Sequence, residues 1–221
     1  MDLPFNAMPG ANYISDISDD IIPTLFRQKQ AELKVPSLGK LGCRFISICA
    51  AISKAKTIID IGCGIGVSTM ALHLGAPTAQ IHALDANPER AETCRTLLSN
   101  YPNITVYNEM AIPFLQRDET RYDMAFVDSI KKDYIAIWHT LRPRLNAGAV
   151  VVFDDVLLHG YVAEENATVP TKYRDGAAEL RLFLEELSTD PTVKSQIIPI
   201  DGGMLMATYG LEQAPLVCHP K

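Results

Sequence analysis

Four side chains in the second half of this 221-residue chain have the types and spacing for acid and metal chemistry. Asp128 closes the apolar run Tyr122-Asp-Met-Ala-Phe-Val127, Lys131 follows three residues later, and Asp154-Asp155 close the run Val150-Val-Val-Phe153. Carboxylates brought together repel unless a cation neutralises them, and an all-oxygen ligand set favours a hard divalent ion, Mg²⁺, Ca²⁺ or Mn²⁺. The same residues have plainer readings. Asp154-Asp155 can be a solvated loop pair, and Lys131 beside Lys132 an exposed helix lysine.

A second group lies earlier, in Asp60-Ile-Gly-Cys-Gly-Ile-Gly-Val-Ser68. Gly62, Gly64 and Gly66 allow a sharp turn and let a ligand approach bare backbone, with the next helix starting at Ser68-Thr69. Asp85, followed by Ala86, ends the next apolar run, where doubly wound folds place an acid to accept hydrogen bonds from ribose hydroxyls. Asp85 also reads as a helix cap ahead of Asn87-Pro88-Glu89. A dinucleotide fingerprint needs glycine at 67, where Val67 stands, and no G-K-[ST] follows the loop. Pyrophosphate ligands and phosphoryl transfer are therefore disfavoured. Ser68 stands in no G-x-S-x-G elbow, so a hydrolase triad has no support.

These residues need a scaffold that brings strand ends together. Short apolar runs at Thr57–Ile61, Gln80–Leu84, Ile104–Tyr107, Met124–Val127 and Ala149–Phe153 alternate with helical segments, the pattern of buried parallel strands covered by helices. Lys194–Ile200 and Met204–Tyr209 flank Asp201-Gly202-Gly203, a hairpin turn that sets one antiparallel strand on the sheet. Residues 1–15 read as a loose lead. Ser18-Asp19-Asp20 offers an N-cap for a helix with an Ile21, Leu25, Phe26 stripe, Pro36-Ser37 breaks that helix, and a second spans Gly39–Ile52. The expectation is a single domain over 1–221: an N-terminal helical cap over 1–55 and a doubly wound, Rossmann-like α/β core over 56–209, with a mostly parallel seven-stranded sheet.

Composition narrows the partners. A net charge of −6, a pI near 5.3 and the lack of a Lys/Arg run disfavour an electrostatic grip on nucleic acid or acidic membranes, without excluding RNA. No stretch approaches the ~20 apolar residues of a membrane span. Five scattered cysteines without CxxC spacing fit neither a disulfide framework nor a zinc site, and they point to a reduced, cytoplasmic protein. His159 near the acid cluster, and Trp138, Tyr134 and Leu141 at helical spacing, read more simply as incidental and as packing.

With its acid before G-x-G-x-G, the sequence resembles the class I S-adenosylmethionine-dependent methyltransferases. Asp128-x-x-Lys131-x-x-Tyr134 and Asp154-Asp155-Val-Leu-x-x-Gly160 are similar to motifs of the cation-dependent O-methyltransferases, the group with catechol and caffeoyl-CoA enzymes. The similarity runs from about Val35 to Tyr209 and includes Pro36-Ser37-x-Gly39, Arg181-x-Phe183, Asp190-Pro191-x-Val193 and Pro199-Ile200-Asp201-Gly202. The resemblance implies S-adenosylmethionine as cofactor, Asp60 near its methionine amino group, Asp85 on its ribose, and Asn108 or Glu109 toward its adenine. It adds Gly62, Gly64, Gly66, Ser68, Ala86, Asp128 and Tyr134 to the cofactor site. It implies Mg²⁺ on Asp128, Asp154 and Asp155, with Lys131 beside the acceptor hydroxyl as base or oxyanion partner and Asp128 at the same catalytic centre. The acceptor implied is a small molecule with a catechol-like or other vicinal hydroxyl, and the assembly a homodimer. Three positions depart from the family: Asp155 stands where asparagine is usual, Glu109-Met110-Ala111 replaces Gly-Asp-Ala, and Leu184 replaces an asparagine. Two rivals remain at this point, a tRNA hydroxyuridine O-methyltransferase and a cofactor-binding protein without metal-dependent catalysis.

Overall fold

A computed structural model describes residue 14 and residues 16–210; the expected loose lead falls almost wholly outside them, as does Cys218. In chain order the elements are α1 (Thr24–Leu33), α2 (Lys40–Ser53), β1 (Thr57–Ile61), α3 (Val67–Gly75), β2 (Gln80–Leu84), α4 (Pro88–Leu97), β3 (Ile104–Tyr107), α5 (Ala111–Arg117), β4 (Tyr122–Val127), α6 (Tyr134–Leu141), β5 (Leu145–Phe153), α7 (Thr171–Thr189), β6 (Val193–Ile198) and β7 (Met204–Tyr209). One seven-stranded sheet runs in the order β3-β2-β1-β4-β5-β7-β6. β7 runs against the direction of the other six described strands, inserted between β5 and β6 by the hairpin.

Period-2 alternation divides the strands between two cores. Ile58, Ile81, Ala83, Met124, Phe126 and Val152 face one side, with α2 supplying Cys43, Ile46, Cys49 and Ala50 from one helical stripe. Ile59, Ile61, Ala125, Val127, Val151 and Phe153 face the other, where Trp138 of α6 and Phe183 of α7 are fully buried. Removing a fully buried Ile46 side chain to alanine should cost about 2–5 kcal/mol.

The strand order reverses between β1 and β4, so a crevice opens beyond their carboxyl ends. There the strand ends Ile61 and Val127 lie side by side, and Asp128 N donates to Ile61 O at 2.8 Å. Gly62 is obligatory at this crossing: its φ is 88°, and a Cβ would sit 1.7 Å from the Asp128 carbonyl oxygen.

Several boundaries differ from expectation. Helix α1 starts at Thr24 after Pro23, with no side-chain cap. Ser18-Asp19-Asp20 therefore does not cap it; Asp20 instead accepts from Ile22 N and pairs with Arg27. Leu25 is exposed, so only Phe26 of the helical part of the proposed stripe is buried. Helix α3 begins at Val67 rather than Ser68, and β5 begins at Leu145, four residues early, across a register shift against β4. The four described cysteines are free and buried, and no described helix is long and apolar enough to cross a membrane.

Candidate active site

The glycine loop is stitched to the neighbouring strand. Gly62 N and Cys63 N both donate to Leu84 O, and Gly64 N donates to Asp85 Oδ2 at 2.9 Å. Asp85 Oδ1 accepts from Asn87 N at 2.8 Å. Asp85 is thus a loop tether and not the cap of α4. That role belongs to Asn87, whose side-chain oxygen accepts from Glu89 N and Arg90 N. Asp85 also faces a cleft of about 400 Å³ lined by Ile61, Gly62, Asp85, Ala86, Met110, Asp128 and Ile130, among others. That is room for a ligand of nucleoside size at the switch point.

Met110 and Ile130 line this cleft yet remain 62% and 60% exposed. Large apolar side chains left open on a concave surface suit a flat apolar ligand face. No hydrophobic period marks either of them, since each lies outside regular elements, just before a helical segment. Glu109 lines the same cleft and pairs with the Arg117 guanidinium. Asn108 Nδ2 donates to Asp85 O at 2.9 Å and so braces the strand end.

Asp60 lies one layer deeper. Its carboxyl is fully buried, with Oδ2 accepting from Ser68 Oγ at 2.9 Å and Thr69 Oγ1 at 2.6 Å, while Oδ1 has no partner. Burial pushes its pKa up to about 7; the hydrogen bonds from Thr69 and Ser68 oppose the rise, and the charges of Asp128 and Asp85 add to it. Ser68 is committed to Asp60 and also lines a narrow gap with Pro36, Ser37, Gly64 and Asp128.

Beyond β4, Lys131 opens a short 3₁₀ turn that carries it under α7. Its ammonium donates to Asp128 Oδ1 at 3.1 Å, Tyr134 Oη at 2.8 Å and Asp154 O at 3.1 Å. The plain reading of an exposed lysine fails here, because only 14% of the side chain is accessible. Burial alone would pull its pKa down, but Tyr134, Asp128 and Asp154 together hold it above the ordinary lysine value. Held this way, the Lys131 ammonium can donate a hydrogen bond to an oxyanion. Tyr134 is fully buried with its ring in the second core, as packing predicts, while its hydroxyl fixes Lys131 and Asp154 O. Tyr134 does not line the cleft.

The three aspartates converge only in part. Asp154 is 8% exposed, and its Oδ1 is buried without a partner. Burial and then the Asp128 charge raise its pKa to about 7, opposed by Lys131. Asp155 has a left-handed φ of 50°, and its Oδ1 lies where a Cβ on Gly202 would be, 2.2 Å away. Its carboxylate is thus laid against the β6–β7 turn. Among the described residues no group of three or more His, Cys, Asp or Glu side chains is placed to hold a metal ion. Asp128 and the orphaned Asp154 oxygen suit a cation, while the Asp155 carboxylate lies against Gly202.

A nucleoside-sized cleft at the switch point of a doubly wound sheet, bordered by an acid–lysine cluster, defines a methyltransferase-type α/β domain. The model of the O-methyltransferase family matches residues 16–209, and the chain belongs to that family. It is 26% identical to the caffeoyl-CoA O-methyltransferase of Medicago sativa over 177 residues, covering 73% of this chain and 70% of the relative. The tapetum-specific methyltransferase 1 of Arabidopsis thaliana is 26% identical over 175 residues, 73% of each chain. Among solved structures, an O-methyltransferase from Bacillus cereus in complex with SAH superposes with a TM-score of 0.79 at 21% identity, covering 94% of this chain and all of that one. The O-methyltransferase TomG of Streptomyces achromogenes, in complex with SAM, gives 0.78 at 21% identity over 95% and 99% of the two chains.

Proposed function

We propose that this O-methyltransferase family member moves the methyl group of S-adenosylmethionine to a hydroxyl of a small phenolic, catechol-like acceptor, assisted by a divalent cation. The observation that carries the reading is the juxtaposition of the Asp85 cleft with the Asp128–Lys131–Asp154 cluster at one end of β1, β4 and β5. The SAM- and SAH-bound solved structures of the same fold support the cofactor, and the family supports oxygen as the acceptor atom.

When bound, S-adenosylmethionine supplies a methyl group on a sulfonium sulfur, and in-line displacement makes alignment the enzyme's main task. Asp85 accepts from vicinal ribose hydroxyls with the lone pairs its two backbone donors leave free. Met110 and Ile130 give apolar faces to the adenine, and the unpartnered Asp60 Oδ1 is a buried acceptor suited to the methionine ammonium. Asp128 and Asp154 would hold the cation, with Asp155 as the third ligand; the bound ion would acidify a hydroxyl. Lys131, fixed by Tyr134, presents a positive charge that would stabilise the acceptor oxyanion left when the hydroxyl gives its proton to water. Assembly as a homodimer belongs to the same proposal.

Calorimetric titration with S-adenosylhomocysteine, then transfer of labelled methyl to catechol in EDTA and after Mg²⁺ addition, tests each part. Undiminished turnover in EDTA removes the cation from the scheme and leaves the methyl transfer standing.

A further inference from the structure

Two motifs of the sequence lie outside the cleft, Pro36-Ser37-x-Gly39 and Pro199-Ile200-Asp201-Gly202, and the fold brings them together. Residues 35–39 form an irregular strap between α1 and α2 that passes beside the glycine loop. Pro36, Ser37 and Leu38 border the narrow gap with Gly62, Gly64, Ser68 and Asp128. Val35 Cγ1 lies 3.7 Å from where a Cβ on Gly64 would stand. A backbone bond from Val35 N to Gln30 O at 3.2 Å starts the strap, and two charged side chains from other elements meet its far end.

The first is Arg27 of α1. Its guanidinium donates to Leu38 O at 2.7 Å and to Gln30 Oε1 at 3.0 Å, and Asp20 fixes it in turn at 2.7 Å. The second is Asp201, in the β6–β7 turn. Helix α2 opens at Gly39 with no side-chain cap and no acid in its first turn, so its leading N–H groups call for a negative partner. The Asp201 carboxylate lies there instead. A Cβ on Gly39 would come 2.9 Å from Oδ1, and one on Gly42 would overlap Oδ2. Both glycines thus make room for a carboxylate that arrives from more than 150 residues away. Burial raises the pKa of Asp201, while the N–H groups of Gly42 and Gly39 and the Arg27 charge oppose the rise. Neither Arg27 nor Asp201 lines the cleft or the gap.

We propose that Arg27 and Asp201 are positioning residues of the cofactor site, clamping the strap of residues 35–39 in place against the glycine loop. The inference rests on the methyl-transfer reading above. It adds two residues, far apart in the chain and outside the cleft, that set cofactor affinity by holding a neighbouring segment.

The test uses the full chain, with calorimetric titration of S-adenosylhomocysteine and catechol methylation by S-adenosylmethionine. A strap in place about one-tenth of the time weakens apparent binding about tenfold. Arg27→Ala and Asp201→Ala should therefore each raise the Kd for S-adenosylhomocysteine about tenfold, with kcat and the KM for catechol at saturating cofactor within about twofold of wild type. Arg27→Lys keeps a charged donor and Asp201→Asn keeps an acceptor, so each should bring the Kd back to within about threefold. A general folding fault lowers the calorimetric stoichiometry and leaves the Kd of the folded fraction alone, which separates it from a displaced strap. A Kd within about twofold of wild type in either alanine variant overturns the clamp and leaves the methyl-transfer reading intact. A folded wild-type chain that binds no S-adenosylhomocysteine overturns that reading, and the clamp with it.

Discussion

Asp60 offers the sharpest test of the electrostatics beneath the glycine loop. A carboxyl with no exposure, two hydroxyl donors on one oxygen and none on the other is held near pKa 7, against an ordinary value of 3.8. Because its folded-state pKa is raised above the unfolded one, the contribution of Asp60 to stability is fully present below pH 4 and is lost as pH rises toward 7. Keeping the charge buried above pH 7 therefore costs about 4 kcal/mol, of which about 3 accrue between pH 5 and pH 8. Asp60→Asn keeps an oxygen for Ser68 and Thr69 and cannot ionise. Urea unfolding of both proteins at pH 5, 6, 7 and 8 separates this group from all others, because their contributions cancel in the difference. The substitution should gain about 3 kcal/mol relative to wild type over that range, a relative midpoint shift of about 1–2 M at a typical slope. Parallel pH profiles for the two proteins would refute a buried charge at this position.

Other expectations follow from single contacts. Asp85→Ala removes the cleft carboxylate and the partner of Gly64 N, and calorimetry should show S-adenosylhomocysteine binding weakened tenfold or more. Lys131→Met should lower turnover by about 10²–10³ with cofactor affinity within twofold, and wild-type turnover would remove its electrostatic role. Tyr134→Phe frees one side of Lys131 and leaves Asp154 O with one fewer donor; turnover should drop about tenfold and stability by about 1 kcal/mol in urea.

Much of the scaffold was legible because buried parallel strands are written as continuous β-branched runs. Thr57–Ile61, Gln80–Leu84 and Ile104–Tyr107 were readable to the residue, as was the antiparallel Met204–Tyr209, which the Asp201-Gly202-Gly203 turn before it marks. The start of β5 was hidden because Asn146, Ala147 and Gly148 lie partly or fully exposed before the buried run begins. The segment after β5 likewise conceals a tight helical turn at Leu158–Ala163 ahead of α7, since tertiary bracing by Arg181 rather than local propensity fixes it. At the site, chain order alone placed Asp85, Asp128, Lys131 and Asp154 at one sheet edge. What sequence could not supply was direction: that Lys131 is enclosed by three oxygens, that Asp155 turns toward Gly202, and that Met110 and Ile130 open onto the cleft. Each depends on packing between segments far apart in the chain.

Transfer of tritium from methyl-labelled S-adenosylmethionine to catechol measures the central claim most directly. A labelled methyl ether should accumulate with an equal amount of S-adenosylhomocysteine, and both should fall sharply in Lys131→Met. A folded wild-type chain that leaves all label on the donor, or passes it to no oxygen, would contradict it.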